Sequence, residues 1–256
     1  MFRALLNLHF LCLICGLACN SSMGQSDLSH WQSEGYPNGL DSVPNWSVAE
    51  NSQTVTQTTN SYPAFLVSDV GSVLQQSNFR VRIEVGDTPD DDFFGFALGF
   101  QPGDSTNMLA DYLLVDWKRR DQEFDGALAL AGLAVSRVTG VPTESFPNFW
   151  DHSGKVVELQ RASNLGNAEW ENNVEYEFEI SVSSSSLVIS VNGVEEFNLT
   201  GNFNDGRLAF YSFANNGIDY STDYGLVNLE SWLADGYPNA GDPPANWSLM
   251  AASLFS

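Results

Sequence analysis

Val174-Glu175-Tyr176-Glu177-Phe178-Glu179-Ile180 alternates apolar and acidic residues without a break. Neighbouring side chains on a strand point to opposite faces, so this order separates an apolar face from a glutamate face. Leu187-Val188-Ile189-Ser190-Val191-Asn192-Gly193-Val194 follows. Its Asn-Gly pair predicts a type I′ hairpin turn, which needs positive φ at both central residues. Working outward, period-two patterning dominates from about residue 53 to 229. Phe94, Phe96, Leu98 and Phe100 are expected to share one face of a strand, with Gly95, Ala97 and Gly99 opposite them. A face that bare implies that backbone or a large side chain comes close to it. Tyr112-Leu113-Leu114-Val115-Asp116-Trp117 and Leu208-Ala209-Phe210-Tyr211-Ser212-Phe213 add strands, and a short helical turn fits only near 143–152. Many strands joined by Gly, Asn and Asp turns predict an all-β, two-sheet antiparallel sandwich.

The composition narrows the function. Ten Lys and Arg stand against 32 Asp and Glu, a formal charge of −22 over 256 residues, with 43% apolar and 12% aromatic residues. That apolar share supports a large core and excludes global disorder. So acidic a chain cannot neutralise a run of phosphates, which argues against nucleic acid, and it gains nothing from an anionic membrane surface. Cations are the partners it favours, and calcium binding or life in salt would leave the same mark.

Residues 1–18 read as an export signal: Arg3, then an apolar run too short to span a bilayer, then Gly16 and Ala18 at the −3 and −1 positions of a cleavage site. Cleavage there leaves Cys19 first, which opens the alternative of a lipid anchor at Cys19. All three cysteines lie within the first nineteen residues, so no disulfide is expected within the sandwich. The expected location is extracellular. Residues 20–30 are small and polar and read as linker.

Residues 28–47, LSHWQSEGYPNGLDSVPNWS, recur at 229–248 as LESWLADGYPNAGDPPANWS, matching at Leu28, Trp31, Gly35, Tyr36, Pro37, Asn38, Asp41, Asn45, Trp46 and Ser47. A period near 200 residues is too long for a solenoid and fits a duplicated domain. On that reading 19–44 is linker and first copy, 45–230 the sandwich, and 231–256 the start of a further domain. The alternatives are an orphaned linker and first strand, or two segments capping the same sandwich edge.

The stretch DDDFFGFALGFQPG…DYLLVDWKRRDQ at 90–122 resembles the thrombospondin C-terminal domain, which carries a triple-Asp turn, a Gly-Phe…Gly-aromatic-Gln strand and an aromatic strand ending in Trp-Lys. The resemblance continues in order through 45–69, 131–154, 164–180 and 204–229. It implies a concanavalin A-like, L-type lectin jelly roll, calcium binding, and an extracellular role in adhesion or matrix association. The chain departs from the family pattern at Tyr211-Ser212, where the family has a Cys, and in lacking Asp-rich calcium repeats before the domain. Receptor specificities of animal members are therefore not carried over.

The candidate metal ligands are Asp90, Asp91 and Asp92, with Asp87 beside them and Asp69 in another loop; Asn215 and Asp219 are weaker candidates. Calcium takes six to eight hard oxygens, which a loop of consecutive carboxylates can bring together, whereas a solvated acidic turn is the plain alternative. Asp121, Glu123 and Asp125 alternate and on a strand would face one way, but they lack the carboxylate pattern of sandwich glycosidases; Lys118, Arg119 and Arg120 are expected to pair with them. The function expected is a non-catalytic, calcium-dependent adhesion or matrix-binding module contacting an extracellular protein or glycan through its loops and concave sheet. A lectin, or less plausibly a glycoside hydrolase, on the same sandwich is the rival.

Overall fold

The computed structural model describes residues 25–36, 42–142 and 145–225. The export signal, Cys19 and the second repeat copy lie outside them.

Two seven-stranded sheets make the sandwich. The first runs β1 (Gln32–Gly35), β4 (Ala64–Val67), β15 (Arg207–Phe213), β6 (Phe93–Phe100), β7 (Asp111–Lys118), β10 (Gly132–Thr139), β11 (Val156–Arg161). The second runs β14 (Val194–Thr200), β13 (Ser186–Val191), β12 (Glu175–Val182), β5 (Asn78–Val85), β16 (Ile218–Thr222), β3 (Val55–Gln57), β2 (Trp46–Val48). A small hairpin of β8 (Gln122–Phe124) and β9 (Ala127–Ala129), and the short helices α1 (Val73–Gln76) and α2 (Ser145–Asp151), complete the described elements. Neighbouring strands pair antiparallel throughout.

The second sheet obeys the alternation that defined it in the sequence. Along β12, Tyr176, Phe178, Ile180 and Val182 are buried, and the glutamates turn outward. Arg82 holds Glu177 at 2.6 Å and Arg80 lies 3.5 Å from Glu179, so part of the acidic face is locally neutralised. Between the sheets, Phe96 meets Phe178 edge-on at 5.3 Å, Trp117 packs on Tyr176 at 4.7 Å and Phe210 stacks on Tyr220 at 4.9 Å. Asn192 and Gly193 take φ of 50° and 77° between the paired Val191 and Val194, as the type I′ turn requires.

The first sheet does not alternate, because both of its faces are covered. All eight residues of β6 are buried. Phe94, Phe96 and Leu98 face the second sheet, while Phe93, Ala97 and Phe100 face a second core with Phe65, Tyr112, Tyr211, Phe149 and Trp150. Phe100 therefore does not share a face with Phe94, as its spacing led us to expect. Gly99, at φ +85°, sits where the β6–β15 register shifts, and the extra residue turns Phe100 to the other side. The bare face has the expected close neighbour. Gly95 lies between Tyr211 and Asp116, and a Cβ on it would stand 1.9 Å from the Val115 carbonyl oxygen.

Two further readings are corrected. Asp125 and Gly126, at φ 49° and 81°, form a hairpin turn, so Asp121, Glu123 and Asp125 make no common strand face; only Glu123 is in β8. The described part of the segment read as linker, residues 25–30, is docked: Leu28 is fully buried, and Ser26 donates its amide to the Thr222 carbonyl at 2.8 Å. The chain thus enters the sandwich beside the strand by which it leaves.

Candidate functional site

The acidic turn leads directly into β6. One carboxylate oxygen from each of Asp90, Asp91 and Asp92 lies within 4.8 Å of the others. Asp90 accepts the Asn60 side-chain amide at 2.8 Å, and Asp91 takes Arg120 Nε at 2.8 Å and donates its own amide to Asp90 at 3.0 Å. One oxygen of Asp92, Oδ1, is buried and has no partner. Asn172 binds the same loop, donating to the Thr88 carbonyl at 2.8 Å, and its Oδ1 is likewise buried and unpartnered. Burial first, then a hydrogen bond and repulsion from Asp90 and repulsion from Asp91, push the Asp92 carboxyl up to about 8, against a lowering by Gln122. Crowded carboxylates and orphaned hard oxygens fit the donor set that calcium takes.

The other sequence candidates scatter. Asp87 is exposed and outside the group of three. Asp69 follows the Val67 end of β4, whereas Asp92 precedes Phe93 at the other end of the sheet, where Phe93 pairs with Phe213 and Ala64 with Ser212. Asn215 is buried with an unpartnered Nδ2. Asp219 is in β16 rather than a loop, holding the Thr56 hydroxyl at 2.5 Å.

The Asp92 shift has a sign that can be measured. Between its ordinary 3.8 and about 8, the folded protein keeps a proton that the unfolded chain has released. In chelator, stability contributed by this site should therefore fall as pH rises across that window. Asp92→Asn should flatten the slope in urea denaturation at pH 5, 6, 7 and 8; an unchanged slope would assign it elsewhere.

A second cluster, missed in the sequence, lies on the covered face of the first sheet. Asp116 and Lys118 are two residues apart on β7, both buried, with Lys118 Nζ 3.4 Å from Asp116 Oδ2. His152, just past α2 with φ 55°, brings Nε2 to 2.5 Å from Lys118 Nζ and 3.1 Å from Asp116 Oδ2. Its Nδ1 is 3.1 Å from Ser136 Oγ and 3.5 Å from Glu158. Burial works to raise the Asp116 carboxyl, but His152 and Lys118 outweigh it and hold it below its ordinary value. Burial pulls Lys118 down, against Asp116. The cluster fastens α2 over the sheet. Ser136, His152 and Asp116 stand in the order of a nucleophile, base and orienting acid, but Ser136 is fully buried, so no substrate reaches it. Lys118, Arg119 and Arg120 do not pair with the 121–125 acids as expected: Lys118 serves this cluster, Arg119 lies 4.7 Å over the Trp170 ring, and Arg120 binds Asp91.

The family model for the thrombospondin C-terminal region matches residues 41–224. The chain belongs to the thrombospondin C-terminal family. Among its relatives, thrombospondin-3b of Danio rerio is 30% identical over 150 residues, covering 54% of this chain and 15% of that protein. Thrombospondin-4-B of Danio rerio is 26% identical over 196 residues, covering 70% and 20%. The chain thus spans only a fifth or less of the length of these relatives. Among solved structures, the VIP36 exoplasmic/lumenal domain in its Ca2+/Man-bound form aligns at TM-score 0.46 and 12% identity, covering 75% of this chain and 82% of that one. The carbohydrate-binding module CBM66 of Bacillus subtilis aligns at TM-score 0.45 and 9% identity, covering 70% and 88%. The all-β sandwich of this thrombospondin-type domain stands on its own strand pairing. Among the described residues, no helix is long and apolar enough to cross a membrane.

Proposed function

We propose that this thrombospondin-type sandwich is an exported, calcium-binding adhesion or matrix-binding module without catalytic activity. The observation that carries the reading is the Asp90–Asp91–Asp92 turn, with carboxylate oxygens within 4.8 Å of one another and the buried Asp92 Oδ1 unpartnered. Calcium would supply compensating charge, held by these carboxylates, with Asn172 Oδ1 as a further donor on the same loop. Its effect would be to tie the loops around residues 88–92 to β6, and thereby to set the binding surface at that end of the sandwich. The partner is an extracellular protein or glycan. The outer face of the first sheet is covered, which leaves the loops and the outer face of the second sheet as contact surfaces.

Thermal melting tests it. Calcium at tenfold excess over its Kd should raise the midpoint by about 3–6 °C relative to chelator, and Asp92→Asn should abolish most of that rise. A midpoint indifferent to calcium removes the metal from the proposal. Turnover of any polysaccharide would overturn the non-catalytic part.

A further inference from the structure

The acidic turn is carried by one strand and held by its neighbours. Phe93 and Lys118 are paired at the end of β6 and β7, so the chain that leaves β7 passes beside the turn on its way to β8. Three outer partners meet the three acids. Asn60 donates to Asp90 at 2.8 Å, Arg120 holds Asp91 at 2.8 Å, and the Gln122 side chain hydrogen-bonds the Asp92 carboxyl. Gln122 reaches two residues of the turn at once, since its Nε2 also donates to the Asp91 main-chain carbonyl at 3.0 Å.

Gln122 is itself fixed from behind. It pairs with Ala129 in the β8–β9 hairpin, and its carbonyl accepts Trp150 Nε1 from α2 at 3.3 Å. Ala127 and Ala129 are buried in the second core with Trp150. Trp150 in turn packs edge-on against Phe93 at 4.7 Å, and Phe93 is the residue after Asp92. Hairpin, helix, strand and turn close a ring of contacts, and in that ring the Gln122 carboxamide is what touches the acids.

The chemistry of this link suits a metal site. A ligating carboxylate is effective when its free oxygen is aimed, and a hydrogen bond from an outer partner does the aiming. Gln122 occupies the Asp92 carboxyl while Oδ1 stays buried and without a partner. Being neutral, it orients the group without cancelling its charge, as Arg120 does at Asp91. Its second bond, to the Asp91 carbonyl, fixes the backbone between the two acids.

We infer, on the basis of the calcium reading of this turn, that Gln122 is its positioning residue: the carboxamide sets the relative orientation of Asp91 and Asp92 for a divalent cation and makes the β8–β9 hairpin part of the metal site. Calcium then tightens the hairpin together with the turn.

The full chain is compared as the unaltered protein, Gln122→Met, Gln122→Asn and Glu123→Gln. Calcium chloride is titrated calorimetrically, thermal midpoints are read in chelator, and amide hydrogen exchange is followed by mass spectrometry with and without calcium. Gln122→Met keeps the length and removes the donor. It should raise the calcium Kd about tenfold or more while the chelator midpoint stays within about 2 °C, a split that a merely structural role would reverse. Gln122→Asn draws the donor back by one carbon and should do the same, and it decides the matter if the Met variant does not fold. Glu123 is exposed on the same strand, and Glu123→Gln should leave the Kd within about twofold. Calcium should slow exchange over residues 122–129 in the unaltered protein and leave it unchanged in Gln122→Met. A Kd within about twofold of the unaltered value in the Gln122 variants overturns the proposal, as does a hairpin whose exchange ignores bound calcium, and in both cases the calcium reading stands. Failure of the unaltered protein to bind calcium is a separate result, which removes the calcium reading and the proposal together.

Discussion

Asp116→Ala is expected to cost about 3–5 kcal/mol of stability, because it leaves Lys118 charged, buried and without its carboxylate. Lys118 is 2% exposed, with Glu158 acting on it only as a minor charge offset by Arg161; its other close contacts are the His152 ring and the face of Phe93, 5.2 Å from Nζ. Neither carries a compensating negative charge. The damage should be specific to the orphaned charge. Asp116→Leu/Lys118→Met, which removes both charges and fills similar space, should recover most of the loss, since well-packed apolar side chains commonly replace a buried pair without penalty. Urea denaturation of the two variants decides the matter, and equal losses in both would show that packing, not charge, is responsible. The pH dependence has the opposite sign to that at Asp92. Asp116 and Glu158 titrate below their ordinary values of 3.8 and 4.5; for Asp116 burial opposes the pull of His152 and Lys118, and for Glu158 the His152 hydrogen bond leads, with Arg161 adding to it. Their stabilisation is complete above those values and lost as pH falls below them.

Gly95→Ala is expected to destabilise by about 3 kcal/mol, although replacing Gly by Ala in an open site usually stabilises by restricting the unfolded chain. The sign is reversed by one distance: the new Cβ would stand 1.9 Å from the Val115 carbonyl oxygen and 2.9 Å from Asp116 Cα. Both obstacles are backbone of the neighbouring strand, so relief requires β6 and β7 to move apart at the centre of the first sheet. The thermal midpoint should fall by about 6–12 °C for a chain of this size. A midpoint at or above that of the unaltered protein would mean that the strands separate at little cost.

These residues also mark what could be read in the sequence and what could not. The β12 alternation and the Asn192–Gly193 turn are local: each residue's environment follows from its immediate neighbours, so both were legible. The resemblance carried by residues 90–122 was legible too, because a triple-Asp turn and two aromatic strands stand in a fixed order. The turn of Phe100 to the second core was hidden, since it depends on where the β6 register slips against Arg207 and Leu208. The buried cluster was hidden for a related reason. Asp116, Lys118, Ser136, His152 and Glu158 come from three strands and the end of a helix, and only pairing brings them together. One trace was available: Asp116 and Lys118 sit two apart in an otherwise apolar run, and on a strand that spacing points both to the same face. The second core itself explains why alternation failed on β6 and β7. A strand covered on both sides has no polar face to display.

The adjacency of Ser26 to Thr222 and Tyr224 has a mechanical consequence. Tension entering through the amino-terminal side and leaving through the carboxyl-terminal side crosses the domain at a single corner. The load would peel one backbone hydrogen bond at a time there rather than shear the long ladders of β5, β12 and β6. The sandwich would hang beside the line of force, and its loops would keep their shape while the tether is pulled.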